Sequence, residues 1–130
     1  MPIEEERSGG QTLYRITRSG RTLGIIAIDS IVAGRARGGL RLVPDLTEAE
    51  IRNAARAMTL KYGFLGFPHG GAKAGVVGDD EGTADAKGAT LAAFAAEADP
   101  LLRGGRYLPD ADMGTSPRDV HAMLASIGVR

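Results

Sequence analysis

From residue 38 onward the sequence alternates short apolar runs with segments that carry their own helix caps. Few folds satisfy that order. Residues 38–43 read as a strand stopped by Pro44. Thr47-Glu48-Ala49-Glu50 is a capping box, in which hydroxyl and carboxylate each satisfy a free backbone N–H. Behind it Ile51, Ala54, Ala55, Met58, Tyr62 and Leu65 recur at three-to-four spacing and make one apolar stripe. Gly63 and Gly66 loosen the end of that helix and Pro68 stops it. Residues 71–77 read as the next strand, closed by Gly78-Asp79-Asp80. An Ala-rich helix follows from about residue 83 to 97, which Asp99-Pro100 ends or kinks. Residues 106–109 are a short strand, and Ser116-Pro117 with Asp119 opens a last helix to about residue 127.

Upstream, residues 11–18 alternate and residues 22–31 are more continuously apolar, with Ser19-Gly20 between them. The pair reads as an antiparallel hairpin. Residues 33–37 are a small-residue loop with Arg35 and Arg37, and the polar residues 1–10 are expected to be a flexible lead. Three strands, then helix, strand, helix, strand, helix predicts an α/β fold in one domain spanning residues 1–130. Its form is three-layered: a mixed, mostly parallel sheet flanked by helices. Ligands of such folds bind beyond the C-terminal ends of the strands.

Composition excludes several function classes. Sixteen basic and sixteen acidic residues give zero formal charge, which argues against a binder of nucleic-acid phosphates. There is no cysteine, hence no disulfide framework or thiolate metal site, and two histidines 52 positions apart make no metal motif. No run of 18 apolar residues is present to span a membrane. Residues 1–7 carry no signal-peptide pattern, and a cytoplasmic location is the expectation.

The chemistry concentrates around Gly66–Gly75. Only three of the 16 basic residues are lysines: Lys61, Lys73 and Lys87. Unlike an arginine, a lysine can give up its proton and act as a base or nucleophile. A second cation nearby in a partly closed cleft favours that release. Lys73 follows the Gly70-Gly71 pair, where missing side chains let a ligand approach the backbone; otherwise it is a surface lysine at a strand start. Lys61 falls about 20° from Ala54 on the helical wheel, near the core face. It either binds a carboxylate or snorkels to water. Asp112 is either a general acid–base or an ordinary turn aspartate, and Asp110 beside it is the decoy. Arg37 either clamps an anion or coats the surface, and His69 is either polar filler or a ligand contact. No Gly-x-Gly-x-x-Gly or phosphate-loop pattern is present.

Four motifs then occur in one order: Gly34-Arg-Ala-Arg-Gly-Gly-Leu-Arg41, Met58-Thr-Leu-Lys61, Gly70-Gly-Ala-Lys73 and Asp110-Ala-Asp-Met-Gly-Thr115. Over residues 12 to about 127 the chain resembles the N-terminal substrate-binding and dimerisation domain of the glutamate/leucine/phenylalanine/valine dehydrogenases. The short N-terminal hairpin is more similar to the leucine/phenylalanine branch. The resemblance implies oxidative deamination of an L-amino acid to a 2-oxo acid. Lys61 then holds the substrate α-carboxylate, and Lys73 activates water and polarises the keto oxygen. Asp112 exchanges protons with the amino group, and Gly70 and Gly71 line the substrate.

The resemblance also implies NAD(P) for a complete enzyme, bound by a Rossmann domain that these 130 residues do not contain. A separate nucleotide-binding domain is then the expected partner, and the isolated chain is expected to be inactive. A homo-oligomer, dimer or larger, is expected, paired through the exposed edges of the first hairpin. Two positions depart from the family pattern. Arg37 stands where glutamate enzymes carry a lysine for the side-chain carboxylate and leucine-type enzymes an apolar residue. A cation there would favour an acidic side chain. His69 replaces an apolar wall residue. A stand-alone amino- or keto-acid-binding or oligomerisation module without redox chemistry is the alternative reading.

Overall fold

The computed structural model describes residues 2–129. Six strands, β1 (Ile3–Ser8), β2 (Gln11–Arg18), β3 (Arg21–Ile28), β4 (Ala36–Val43), β5 (Gly70–Val77) and β6 (Tyr107–Ala111), form one sheet in the order β1-β2-β3-β5-β4-β6. Helices α1 (Glu48–Leu65), α2 (Ala84–Arg103) and α3 (Pro117–Ser126) complete the chain. The sheet is mixed: β1, β2, β3 and β5 pair antiparallel, whereas β5, β4 and β6 run parallel. The α/β, three-layer architecture expected from the sequence is present.

Strand alternation explains the three layers. Successive side chains point to opposite faces, so Tyr14, Ile16, Ile26, Leu40, Leu42, Ala74 and Val76 share one face. They pack with Leu91, Phe94 and Ala98 of α2 and Met123 of α3. The intervening residues Leu13, Ile25 and Ala27 pack with Ile51 and Ala55 of α1. On β4 and β5 the α1 face carries Gly39, Arg41, Gly71, Lys73 and Gly75, small or charged residues where the other face is aliphatic. The fold thus provides a thin, polar spot under α1 at the parallel end of the sheet.

The first hairpin turns on Ser19 and Gly20, both at positive φ, a two-residue turn whose twist matches the strands it joins. The expected flexible lead is corrected: Ile3–Ser8 is a strand. Its ladder runs from Ile3↔Ile16 to Ser8↔Gln11, and Glu6 accepts from Arg15 at 2.9 Å while Arg52 of α1 donates to the Ser8 carbonyl at 3.1 Å. These partners lie far along the chain, so local composition did not announce them. One consequence is that neither strand of the hairpin is a free edge, contrary to the expected pairing surface. β2 lies between β1 and β3, and β3 lies between β2 and β5.

Helix ends follow the caps with two differences. The Thr47 hydroxyl accepts from the Glu50 N–H at 3.4 Å, but the Glu50 carboxylate accepts from that hydroxyl at 2.8 Å, not from the Thr47 backbone. Pro100 does not end α2, which continues to Arg103. The last turn stays helical because Leu101 and Leu102 are buried in the core and Arg103 pairs with Asp99 at 2.7 Å. Ser116 and Asp119 form the complete reciprocal box expected at α3, and Gly66 closes α1 in the left-handed region at φ 73°.

Candidate active site

A cavity of about 540 Å³ opens between the end of α1, the loop leading to β5, the first half of β4, the middle of β5 and the C-terminal end of β6. It lies over the sheet and not, as expected, beyond the C-terminal ends of β4 and β5. Lys61, Lys73, Asp112 and Arg37 all line it, together with Asp110 and an apolar wall that includes Met58, Tyr62, Phe67 and Pro68. Four residues singled out in the sequence therefore share one space. Gly70 and Gly71 do not line it. They serve packing instead: a Cβ on Gly70 would stand 1.9 Å from the Ser30 carbonyl oxygen, and one on Gly71 2.1 Å from the Thr59 nitrogen of α1.

Lys73 extends from the middle of β5, where its backbone pairs with Ala27. Its side chain is only 8% exposed, and Nζ donates to Asp112 Oδ2 at 2.8 Å. Gly39 on the neighbouring strand makes that contact sterically possible. A Cβ there would come within 2.8 Å of Asp112 Cβ and 3.0 Å of Lys73 Nζ.

Asp112 is held from several sides. The Thr115 hydroxyl accepts from the Asp112 N–H at 3.0 Å and donates to the Leu40 carbonyl at 2.8 Å, anchoring the loop after β6 to β4. Arg41 Nε donates to Asp112 Oδ2 at 3.1 Å. Burial pushes the Asp112 carboxyl up. Hydrogen bonds from Lys73 and Arg41, the Lys73 charge and a backbone bond at Met113 outweigh burial and hold it below the usual carboxylate value. Asp112 is thus an ionised acceptor clamped between two cations.

The sequence expectation put a second cation beside Lys73. The group within bonding distance is instead the Asp112 carboxylate. Lys61 reaches the same cavity from α1, but it is exposed rather than turned to the core. Past Tyr62 the helix runs out of cover: Phe64 is 91% and Leu65 50% exposed. Lys61 makes no ion pair among the described residues, so it is the uncommitted cation of the cavity.

Arg41 was missed. Its signal was available, since period-two alternation along β4 places Arg37, Gly39 and Arg41 on one face. Along the sequence Tyr62 is only one member of the apolar stripe, yet its ring stands 6.0 Å from His69 and 5.9 Å from Phe67, centroid to centroid, so these three form an aromatic wall. Burial pushes the Tyr62 hydroxyl up; Asp110 adds to this and Arg37 opposes it. Tyr107, fully buried on the other face, donates to the Gly38 carbonyl at 2.9 Å and steadies β4 beside the site. No cluster of His, Cys, Asp or Glu suited to a metal occurs among the described residues, and no helix there is long and apolar enough to cross a membrane.

Residues 16–128 match the profile described as Glu/Leu/Phe/Val dehydrogenase, dimerisation domain. The chain is 38% identical over 100 residues to a valine dehydrogenase of Streptomyces virginiae, covering 74% of this chain and 27% of that protein. It is 44% identical over 46 residues to an NAD-specific glutamate dehydrogenase of Staphylococcus aureus, covering 35% of this chain and 11% of that protein. The fold superposes with TM-score 0.74 on hetero-hexameric glutamate dehydrogenase from Thermus thermophilus in its Leu-bound form, at 24% identity, covering 84% of this chain and 28% of that one. The chain spans about a quarter of the length of that valine dehydrogenase. It belongs to the Glu/Leu/Phe/Val dehydrogenase family and carries that family's dimerisation domain.

Proposed function

We propose that this chain binds an L-amino acid or its 2-oxo acid and handles the protons of oxidative deamination in an amino-acid dehydrogenase. The single observation that carries this reading is the convergence of a free cation, Lys61, with the paired Lys73 and Asp112 in one cavity. A substrate α-carboxylate needs a cation that is not already neutralised, and Lys61 is such a group. The reacting carbon then sits near Lys73 and Asp112. Lys73 donates a hydrogen bond to the keto oxygen, developing negative charge is stabilised there, and the same side chain orients the attacking water. Asp112, ionised and fixed by Arg41 and Thr115, is the acceptor for a proton from the substrate ammonium. Two groups of opposite charge in contact suit the two opposite proton steps.

NAD(P), which the family implies for a complete enzyme, does not fit the residues present here. The strand-to-helix connections are the usual cradle for a pyrophosphate. Here the turn after β5 carries Asp79, Asp80 and Glu81, and the first turns of α1, α2 and α3 carry Glu48, Glu50, Asp85 and Asp119. Each would repel phosphate. Nucleotide binding in a complete enzyme is therefore assigned to a separate domain, as a partner of this one.

The test is an NMR titration of the 130-residue chain with 4-methyl-2-oxopentanoate and L-leucine. Amide shifts should cluster around residues 61, 73 and 112, and Lys61→Ala should weaken the oxo acid at least about 10-fold, a tenfold change being about 1.4 kcal/mol. An absence of shifts there at tens of millimolar ligand, or equal affinity for Lys61→Ala, would refute the assignment.

Self-association belongs to the same reading. Phe64, Leu60, Leu65 and Phe67 form an exposed apolar group at the end of α1, the kind of surface that marks an interface. Sedimentation velocity should find a dimer or larger species that Phe64→Glu shifts toward monomer. A wild-type chain that stays monomeric at high concentration would argue against it.

A further inference from the structure

The cavity contains a second ion pair that the proton chemistry does not use. Arg37 rises from β4, and its Nη1 donates to Asp110 Oδ1 on β6 at 2.8 Å. The two strands are parallel neighbours with Gly39 opposite Asp110, which brings the side chains together on the α1 face. Beside the pair stands the wall of Tyr62, Phe67 and His69.

A census of charge is decisive. Three cations line the cavity, Arg37, Lys61 and Lys73, and two carboxylates, Asp110 and Asp112. Lys73 is committed to Asp112, Arg37 is paired with Asp110, and Arg41, which also bonds Asp112 from outside the cavity, is balanced by Glu50 at 3.6 Å. One positive charge remains, on Lys61, and it matches one carboxylate. A substrate with a second carboxylate in its side chain would have to displace Asp110 from Arg37 or lie near an anion with no cation of its own. The Arg37–Asp110 pair is part-exposed before a ligand binds. A bound ligand excludes water and makes the mismatch more costly, because charges interact more strongly at lower dielectric.

We infer that Asp110 is a specificity-determining residue: by neutralising Arg37 it restricts the site to substrates whose side chain is uncharged and bulky, aliphatic or aromatic. This rests on the amino- and oxo-acid reading of the cavity. It also revises the expectation that Arg37 selects an acidic side chain, because the Arg37 charge is already met by Asp110, even though its Nε has no hydrogen-bond partner. Asp110 acts through Arg37 and does not touch the reacting atoms.

The experiment titrates the 130-residue chain with 4-methyl-2-oxopentanoate, phenylpyruvate and 2-oxoglutarate, following amide shifts by NMR. The wild type should bind the first two at least about 10-fold more tightly than 2-oxoglutarate. Asp110→Asn should release Arg37 and tighten 2-oxoglutarate about 10-fold, the scale of a hydrogen bond to a charged group. Any gain for 4-methyl-2-oxopentanoate should be smaller than that for 2-oxoglutarate, because Lys61 already meets its one carboxylate. The double variant Arg37→Met/Asp110→Asn should lose the gain, which separates a freed guanidinium from mere removal of an anion. Asp110→Ser is the second variant should Asp110→Asn fold poorly. Wild-type preference for 2-oxoglutarate, or no gain in either Asp110 variant while the monocarboxylates still bind, overturns the inference and leaves the site assignment standing. Failure of all three acids to bind the wild type overturns both.

Discussion

Replacing Asp112 by Ala probes the centre of the site without any substrate. The substitution strips the carboxylate from Lys73 at 2.8 Å and from Arg41 at 3.1 Å. Arg41 retains Glu50 at 3.6 Å, but Lys73, with a side chain 8% exposed, has no other ion-pair partner among the described residues. Removing one partner of a fully buried pair costs about 3–5 kcal/mol. Asp112 lines an open cavity and keeps 28% of its side-chain exposure, so water partly solvates what is left. We expect Asp112→Ala to cost about 2–3 kcal/mol, below that range. Lys73→Met removes the cation and leaves Asp112 bonded to Arg41, so it should cost about 1 kcal/mol or less. Lys73→Met/Asp112→Ala has no orphaned ammonium and should be more stable than Asp112→Ala alone by about 1–2 kcal/mol; adding the cost of Lys73→Met gives a coupling energy of about 1–3 kcal/mol for the pair. Urea unfolding reads this directly: with an m-value of about 2 kcal/mol/M, Asp112→Ala lowers the midpoint by roughly 1–1.5 M. If Asp112→Ala lies within about 0.5 kcal/mol of wild type, or the double variant equals the sum of the singles, the claim that Lys73 depends on Asp112 is wrong.

Three further outcomes follow from the same geometry. Gly39→Ala places a methyl in the gap the pair occupies; it should cost about 1–3 kcal/mol by overpacking and reduce oxo-acid binding at least about 10-fold, checked by urea unfolding and NMR titration. Tyr107→Phe leaves the Gly38 carbonyl without its buried donor and should cost about 1–3 kcal/mol in urea unfolding. The folded Asp112 carboxyl lies below its ordinary value, so its contribution is fully present above the unfolded value of about 3.9 and is lost as pH falls through the lower folded one. The stability gap between wild type and Asp112→Ala should therefore be constant from about pH 5 to 7 and shrink progressively below about pH 4, as measured by urea midpoints across that range. A gap that widens on acidification would contradict the sign.

The parts of this molecule that were legible in the sequence are those written in short-range patterns. Capped helices, the Ser19-Gly20 hairpin and the strand alternation each depend on residues within a few positions of one another. The strand order was not legible in that way, since β5 inserts between β3 and β4 and pairs antiparallel with β3. Lys61, Lys73 and Asp112 were legible through motifs. What failed locally did so for a nonlocal reason. The Ile3–Ser8 strand is secured by Arg15 and Arg52 from other elements. Pro100 is carried inside α2 by the burial of Leu101 and Leu102, a tertiary gain exceeding the local loss of one N–H.

Asp110 is the clearest case of this limit. Read along the chain it is one more aspartate before a loop, and its partner is 73 positions away. Its role exists only because β4 and β6 are parallel neighbours in a register that sets Gly39 opposite Asp110. A one-residue slip would turn Asp110 to the α2 face and release Arg37 into the cavity. Arg37 and Lys61 would then be two free cations in one cavity, suited to a dicarboxylic acid. If Asp110 selects the substrate side chain as inferred, that selection rests on a register between strands, and Arg37 alone cannot predict it.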